Sequence, residues 1–560
     1  MDKPGVESGN ACPTGQGEAL ASSSLKSTAL RMLIVGFGVT FLFAAVAAQL
    51  IRLGIVGQNQ QSAKPARIIG AFYSRPDIAD REGRLLATDV GLPTLYADPF
   101  LIASVDETVE GLAEIFPELD TPKVRRALAD KSRRYYPLKR AVTPGVAQKI
   151  HDMGLPGLAF RDEPKRSYPN ARLAGHLLGH VDGFNHGVAG IERLLNDDPG
   201  VRRVHRASVN TAPALRLTID MRAQYALENE LDRGIAKFRA QAAAGVLLDI
   251  HTGEIWAAAS LPGVEPSEIS EVMDRKRRNR LADDAFELGS VFKVFTLAMA
   301  MDLDVVGPHA LIDVASPLKV GGFEITDTPA YNGRLTLEQV LVRSSNIGAA
   351  VLAEATGAAG QREFLKHIGL TTAIDTPDVK TVTPKLPRRW GEAETATIGY
   401  GHGIAVSPLQ FAVAFAGMVN GGYALRPRLV RTAEREFPAP RRRILRHETS
   451  ELLQKMLRKN VLAGTGRRVR AAGYRVGGKT GTADLARNGK YDGKSVIASF
   501  AAAFPMDRPQ FALLVTLFEP QPEGGKPARS ASRTAAPLAG DIIRRVAPIL
   551  AVKKRIPERG

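Results

Sequence analysis

The chain has 560 residues, with 75 Lys and Arg against 58 Asp and Glu for a formal charge of +17, and is too long for a single hydrophobic core. Its 44% hydrophobic and 24% charged residues are those of folded domains, not of a disordered polymer. Lys and Arg are spread along the chain without an aromatic-interleaved block, which argues against a nucleic-acid site and fits anionic surroundings such as phospholipid headgroups.

Residues 1–31 read as a flexible tail, rich in Gly, Ser and Ala. They hold the only cysteine, Cys12, so the remainder has no disulfide or thiol chemistry. Met32 to Ile51 is an uncharged apolar run of about twenty residues, long enough to span a bilayer as a helix. Ala45-Val46-Ala47 has the small-x-small look of a signal-peptide cleavage site. The long leader and the long apolar run favour an uncleaved anchor instead. Lys26 and Arg31 before the segment are matched by Arg52, Lys64 and Arg67 after it, so charge alone does not orient it. Gln58 to Ala66 forms a polar linker.

Arg81-Glu82-Gly83-Arg84 reads as a turn between two short strands. Residues 105 to 155 alternate helical patterns and turns. His176 and His180 stand at i and i+4, but Leu177 lies where a zinc hydrolase carries Glu, and Gly179 argues against a firm helix. A structural role is expected for both, and no metal. Leu215 to Asp220 alternates as a strand and ends on a good cap. In the helix that follows, Leu227, Leu231, Ile235 and Phe238 mark one face. Gly245–Asp249 and Glu254–Ala259 flank His251-Thr252-Gly253 as a β-hairpin.

Gly289-Ser290 leads into Val291 to Met301, an apolar run without Gly or Pro, which predicts a buried helix with Ser290 in its first turn. Three residues along a helix advance about 300° and about 4.5 Å, so Lys293 lies on the face of Ser290. An unpaired ammonium in such a run is costly, and burial lowers its pKa, as a proton acceptor beside a nucleophilic serine requires. Alone, Ser-x-x-Lys is more often a cap and a surface lysine. Two further elements follow in order: Ser344-Ser345-Asn346 and Lys479-Thr480-Gly481-Thr482. Ser407 then caps a helix with Pro408 at its first position and Gly421 as a stop. Late strands are expected at Tyr474–Val476, Ser495–Phe504 and Phe511–Phe518, and a last helix over about 535–550.

Ser290-x-x-Lys293, Ser344-x-Asn346 and Lys479-Thr480-Gly481, in this order, make the chain resemble the class B penicillin-binding proteins, which are peptidoglycan D,D-transpeptidases. The Ser74 to Ala87 segment, Pro164 to Pro169 and His176 to Glu192 resemble that family's non-catalytic pedestal. Pro76 stands where glycine is usual. The resemblance implies an α+β penicillin-binding (serine β-lactamase-like) domain, with helices packed on an antiparallel sheet, after a transmembrane helix and a mixed α/β pedestal. The expected division is tail 1–31, membrane helix 32–51, pedestal 52–222, transpeptidase domain 223–552 and basic tail 553–560.

By the same resemblance Ser290 is the acylated nucleophile and Lys293 its base. Ser344 relays protons to the leaving amine, and Asn346 holds the substrate amide and orients Lys293. Lys479 disfavours a protonated Lys293 and attracts the terminal carboxylate, which Thr480 and Thr482 hydrogen-bond. The N–H groups of Ser290 and Thr482 form the oxyanion hole, with Gly481 in the same substrate-binding segment. No cofactor or metal is implied. Expected partners are D-Ala-D-Ala stem peptides, β-lactams, the membrane, a glycosyltransferase of the FtsW type and other division proteins, since the motif surroundings look most like the septal branch. The wall substrate orients the anchor, with the N-terminus cytoplasmic and the catalytic domain periplasmic, in the inner membrane.

Other readings share parts of this pattern. An elongation-type transpeptidase or a D,D-carboxypeptidase has the same motifs. A β-lactamase needs a deacylating base and normally lacks the anchor and pedestal. Gly473 to Thr480 also matches a P-loop in full, but that motif requires a buried strand before it and a helix after it.

Overall fold

The computed structural model describes Phe37, residues 40–47, 75–197, 213–431, 442–469, 471–487, 490–521 and 530–554. The chain forms two units, Met1–Ala71 and Phe72–Gly560. In the first, Phe37 and residues 40–47 are helical and exposed. The tail 1–31, most of the expected span Met32–Ile51 and the linker Gln58–Ala66 lie outside the described residues. Among those described, no helix is long and apolar enough to cross a membrane.

The second unit opens with a sheet of β1 (Ile78–Ala79), β2 (Leu85–Ala97), β3 (Tyr136–Lys139), β4 (Leu158–Ser167) and β5 (Leu215–Arg216). Gly83, at φ 85°, makes the turn between β1 and β2, a conformation that glycine adopts without a Cβ penalty. Helices α1 (Val105–Ala113), α2 (Pro122–Ala129) and α3 (Pro144–Asp152) pack beside this sheet, as the alternating pattern predicts. Helix α4 (Gly190–Asp197) brings Glu192 to a buried charge cluster. Arg75 and Arg166 lie 2.7 and 2.6 Å from the Glu192 carboxylate, and Arg166 also reaches Asp89 at 3.2 Å. The expected strand Leu215–Asp220 is shorter: after β5, Leu217 bridges to Val430 and Asp220 turns away to cap the next helix.

That helix is α5 (Met221–Phe238), whose Asp220 cap accepts from the N–H groups of Arg222 and Ala223. Beyond it lies a five-stranded antiparallel sheet of β6 (Ala242–Asp249), β7 (Ile255–Leu261), β8 (Gly477–Arg487), β9 (Lys490–Phe504) and β10 (Phe511–Phe518), ordered β8-β9-β10-β6-β7. Tyr474–Val476 is not a strand. That segment packs Tyr474 and Val476 into the core and accepts from the Met506 N–H through Arg475 O at 2.7 Å, but the ladder starts at Gly477.

Alternation divides this sheet between two cores. Val246, Leu248, Leu514 and Ala501 face one cluster, while Leu247, Leu513, Val515 and Phe500 face the other, the period of two that a strand covered on both faces requires. Leu227 and Leu231 of α5 and Leu538, Ile542 and Ile543 of α12 (Ala535–Ile549) cover the second face. The first is covered by α6 (Lys293–Asp302), α7 (Leu337–Arg343), α8 (Asn346–His367), α9 (Glu392–Gly399), α10 (Pro408–Val419) and α11 (His447–Ala463). Ser407 caps α10 as expected. Within this layer Phe295 meets both Phe292 and Phe411 edge-to-face at 5.1 Å, which fixes α6 and the turn before it.

The pedestal is keyed to this layered part near Arg81. Its guanidinium lies 3.3 Å above the Trp256 ring and 3.0 Å from Glu254, a stacked, bidentate-capable contact that lysine would not reproduce. Asp80 accepts from the Met221 N–H at 3.0 Å.

Candidate active site

Ser290 does not sit in an α-helical turn. Gly289–Phe292 is a 3-10 turn and α6 begins only at Lys293. With three residues per turn, positions i and i+3 eclipse, which aligns Ser290 and Lys293 more directly than α-helical spacing does. Gly289 makes the turn possible. It has φ +60°, and a Cβ there would lie 2.6 Å from Thr482 O. Gly481 answers it from the strand side, where a Cβ would lie 2.3 Å from Leu288 O. Two glycines thus let the serine turn rest directly on β8, an edge strand of the sheet.

Ser344 caps α7 in the left-handed region, at φ 62°. Ser345 then caps α8 through the Gly348 N–H, so the two helices meet in a two-residue corner that projects Ser344 and Asn346 the same way. The corner is held from outside by Asp327, whose carboxylate accepts from Ser345 Oγ and from the N–H groups of Asn346 and Ile347.

Five of the expected side chains converge. Lys293 Nζ lies 2.8 Å from Ser290 Oγ, 2.8 Å from Ser344 O, 3.2 Å from Ser344 Oγ and 2.7 Å from Asn346 Oδ1. Lys479 Nζ, from β8, lies 2.9 Å from Ser344 Oγ and 3.0 Å from Thr480 O. Both lysines are 0% exposed. Burial holds the Lys293 amine well below its ordinary value, the Lys479 charge lowers it further, and Asp327 offsets part of this. Burial brings Lys479 down to about 7. Two ammonium groups sharing one hydroxyl in a dry site repel, which favours the neutral form of Lys293.

The remaining expected residues divide. Thr482 is exposed beside the serine turn, and its Oγ1 accepts from the Ala531 N–H at 3.0 Å. Thr480 is buried and bonds Thr465 Oγ1 at 2.7 Å. Asn460 supports the same strand by donating to Gly478 O at 2.7 Å. Sequence reasoning missed Asp327, Asn460 and Thr465, which belong to no motif and lie 15 to 20 residues along the chain from the groups they hold. His176 and His180 are remote from this site: Gly179 ends a helix of only Gly175–Leu178, and the His176 ring meets the Arg277 carbonyl. The P-loop reading fails, because Lys479-Thr480 enters a strand rather than a helix.

The description penicillin-binding protein transpeptidase domain matches residues 243–544, and penicillin-binding protein dimerisation domain matches residues 73–194. The chain belongs to the penicillin-binding protein transpeptidase family. Among family members, it is 34% identical to the probable peptidoglycan D,D-transpeptidase FtsI of Caulobacter vibrioides, over 87% of this chain and 83% of that one. Identity to the Escherichia coli peptidoglycan D,D-transpeptidase FtsI is 32%, over 81% of each chain. The transpeptidase domain of penicillin-binding protein 3 from Burkholderia pseudomallei superimposes with a TM-score of 0.54 at 30% identity, over 61% of this chain and 98% of that one. A peptidoglycan synthetase from Bifidobacterium adolescentis shares the fold, with a TM-score of 0.67 at 22% identity, over 87% of this chain and 97% of that one. The likeness to FtsI transpeptidases therefore runs through the pedestal as well as the catalytic part.

Proposed function

We propose that this penicillin-binding protein, a peptidoglycan D,D-transpeptidase, cross-links stem peptides during septal wall synthesis through an acyl-enzyme on Ser290. The observation that carries the mechanism is the 2.8 Å approach of a buried amine, Lys293 Nζ, to Ser290 Oγ. A neutral Lys293 takes the Ser290 proton as Oγ attacks the D-Ala-D-Ala carbonyl. Ser344 Oγ, between the two lysines, passes a proton to the departing D-Ala amine. Asn346 orients Lys293 and holds the substrate amide. Lys479 and Thr482 bind the terminal carboxylate, with Thr480 supporting the strand. The Ser290 and Thr482 N–H groups receive the oxyanion. The amine of a second stem then takes the acyl group.

β-Lactams acylate the same serine, and the adduct turns over slowly, since the three motifs come without a sequence signature for a deacylating base. Mass spectrometry after exposure to labelled penicillin tests this: one adduct on Ser290, absent in Ser290→Ala. An adduct on another serine, or rapid hydrolysis, refutes it. The FtsI relatives favour the septal over the elongation or carboxypeptidase reading. Inactivating Ser290 in cells should give undivided filaments, whereas rounded, dividing cells would identify an elongation enzyme.

The same reading includes a single uncleaved anchor over Met32–Ile51 in the inner membrane and a pedestal over 52–222. The transpeptidase domain over 223–552 then stands outside, working beside a glycosyltransferase of the FtsW type and other division proteins. A reporter active only in the oxidising compartment, fused after Gly560, should be active. A mature N-terminus near Ala48 would contradict the anchor.

A further inference from the structure

At the rim of the serine turn, three separate elements meet around Glu287. Its carboxylate accepts from the Tyr491 hydroxyl at 2.9 Å and from the Gly403 N–H at 3.0 Å. Both partners are neutral, so neither offers a counter-charge to this carboxylate, three residues before Ser290. Gly401 packs on Gly289, where a Cβ would lie 2.1 Å from Gly289 O, and this seats His402 next to the serine turn. The His402 ring lies within electrostatic reach of Glu287, Lys293 and Asp484. Its Nδ1 is buried and has no hydrogen-bond partner among the described residues, an unsatisfied group that calls for an occupant. Asp484, exposed on β8, adds a second negative charge to this side.

The rim is therefore polarised. The two lysines and the oxyanion side favour anionic groups, while the Glu287 side favours a cation. The acylation half-reaction brings in an anionic donor terminus and has no use for a carboxylate here. The transfer half-reaction has one, because its nucleophile arrives in water as an ammonium ion.

We propose that Glu287, held by Tyr491 and Gly403, is the docking group for the ammonium of the acceptor stem, and that the His402 ring takes the first proton it must lose. This rests on the acyl-enzyme at Ser290. Burial lowers the His402 pKa against the pull of Glu287 and Asp484, so the ring is a free base at neutral pH. Once the ammonium has given one proton to His402, the amine nitrogen attacks the acyl carbonyl carbon. The new C–N bond forms, the C–Oγ ester bond to Ser290 breaks, and the second proton from nitrogen returns to Ser290 Oγ through Lys293. His402 releases its proton to solvent.

The experiment is a partition measurement on the full chain in detergent or vesicles, with a thioester donor acylating Ser290. Water competes with D-alanine, an ammonium at pH 7, or with hydroxylamine, which is uncharged there. In Glu287→Gln, penicillin labelling of Ser290 and transfer to hydroxylamine should stay within about twofold, while the D-alanine to water ratio falls about tenfold through a raised acceptor KM. His402→Asn should lower the maximal rate of D-alanine transfer without raising that KM. An unchanged D-alanine ratio in Glu287→Gln overturns the proposal, as does an equal loss for both nucleophiles, which would mark a structural role. Absence of Ser290 labelling in the unsubstituted protein would instead refute the acyl-enzyme itself.

Discussion

Lys293 and Lys479 meet at one atom: their amines lie 3.2 and 2.9 Å from Ser344 Oγ. Neither is exposed, and the charge on Lys479 is one of the forces that keep Lys293 neutral. The pair divides two tasks that a single lysine cannot combine, since a base must be neutral and a carboxylate receptor must be charged.

Replacing Lys479 by Met therefore has two kinetic consequences. Penicillin acylation should fall about 10²–10³-fold through lost electrostatic stabilisation. The rise of the residual rate with pH should also move to higher pH, because removing the Lys479 charge raises the Lys293 pKa. Stopped-flow acylation across pH 5–10 checks both, and an unshifted limb would remove Lys479 from the control of Lys293.

The same substitution should stabilise the fold. The Lys479 pKa drops from its ordinary 10.5 to about 7 on folding, so the unfolded chain binds the extra proton between those values and native stability rises with pH across that window. At or below about pH 7 the full desolvation cost is present, and Lys479→Met should gain on the order of 2–4 kcal/mol there, net of the lost hydrogen bonds. The gain should shrink as pH approaches about 10. Urea titrations at pH 7 and pH 9.5 decide it.

Asp327 carries no chemistry of its own but holds three donors of the Ser345–Ile347 corner. Asp327→Asn should cost about 1–3 kcal/mol in urea denaturation, because a buried cap is broken. Acylation should slow as well, since Asn346 no longer fixes Lys293. A slower acylation with unaltered stability would point to a direct role instead.

In the pedestal, Arg166→Met leaves Glu192 with one cation instead of two. Breaking this buried network should destabilise the chain by about 3–5 kcal/mol, while penicillin acylates the folded fraction at the unsubstituted rate. A reduced acylation rate would mean that the pedestal reaches the serine turn.

Gly289→Ala should abolish acylation, because its Cβ would enter the Thr482 carbonyl at 2.6 Å and the φ of +60° strains any other residue. Circular dichroism should remain native, since the sheet beneath does not depend on the turn.

What the sequence determined by itself was whatever one or two turns of backbone encode. The Ser290–Lys293 spacing, the Asp220 and Ser407 caps and the hairpin around His251-Thr252-Gly253 follow from local periodicity and capping, which need no distant partner. Motif order added the family, and with it the expected roles of Ser344, Asn346 and Lys479. Tertiary structure alone decided the rest. The 3-10 form of the serine turn arises because Gly289 and Gly481 allow it to lie on β8, a contact between segments nearly 200 residues apart. Asp327, Asn460 and Thr465 hold the site through side-chain hydrogen bonds that leave no periodic trace in their own segments. Glu287, His402 and Tyr491 come together only because the loop at Gly401 packs on Gly289 while the β8–β9 ribbon reaches over the rim. Such contacts depend on loop closure and on which faces the two cores bury. Residue spacing does not carry that information.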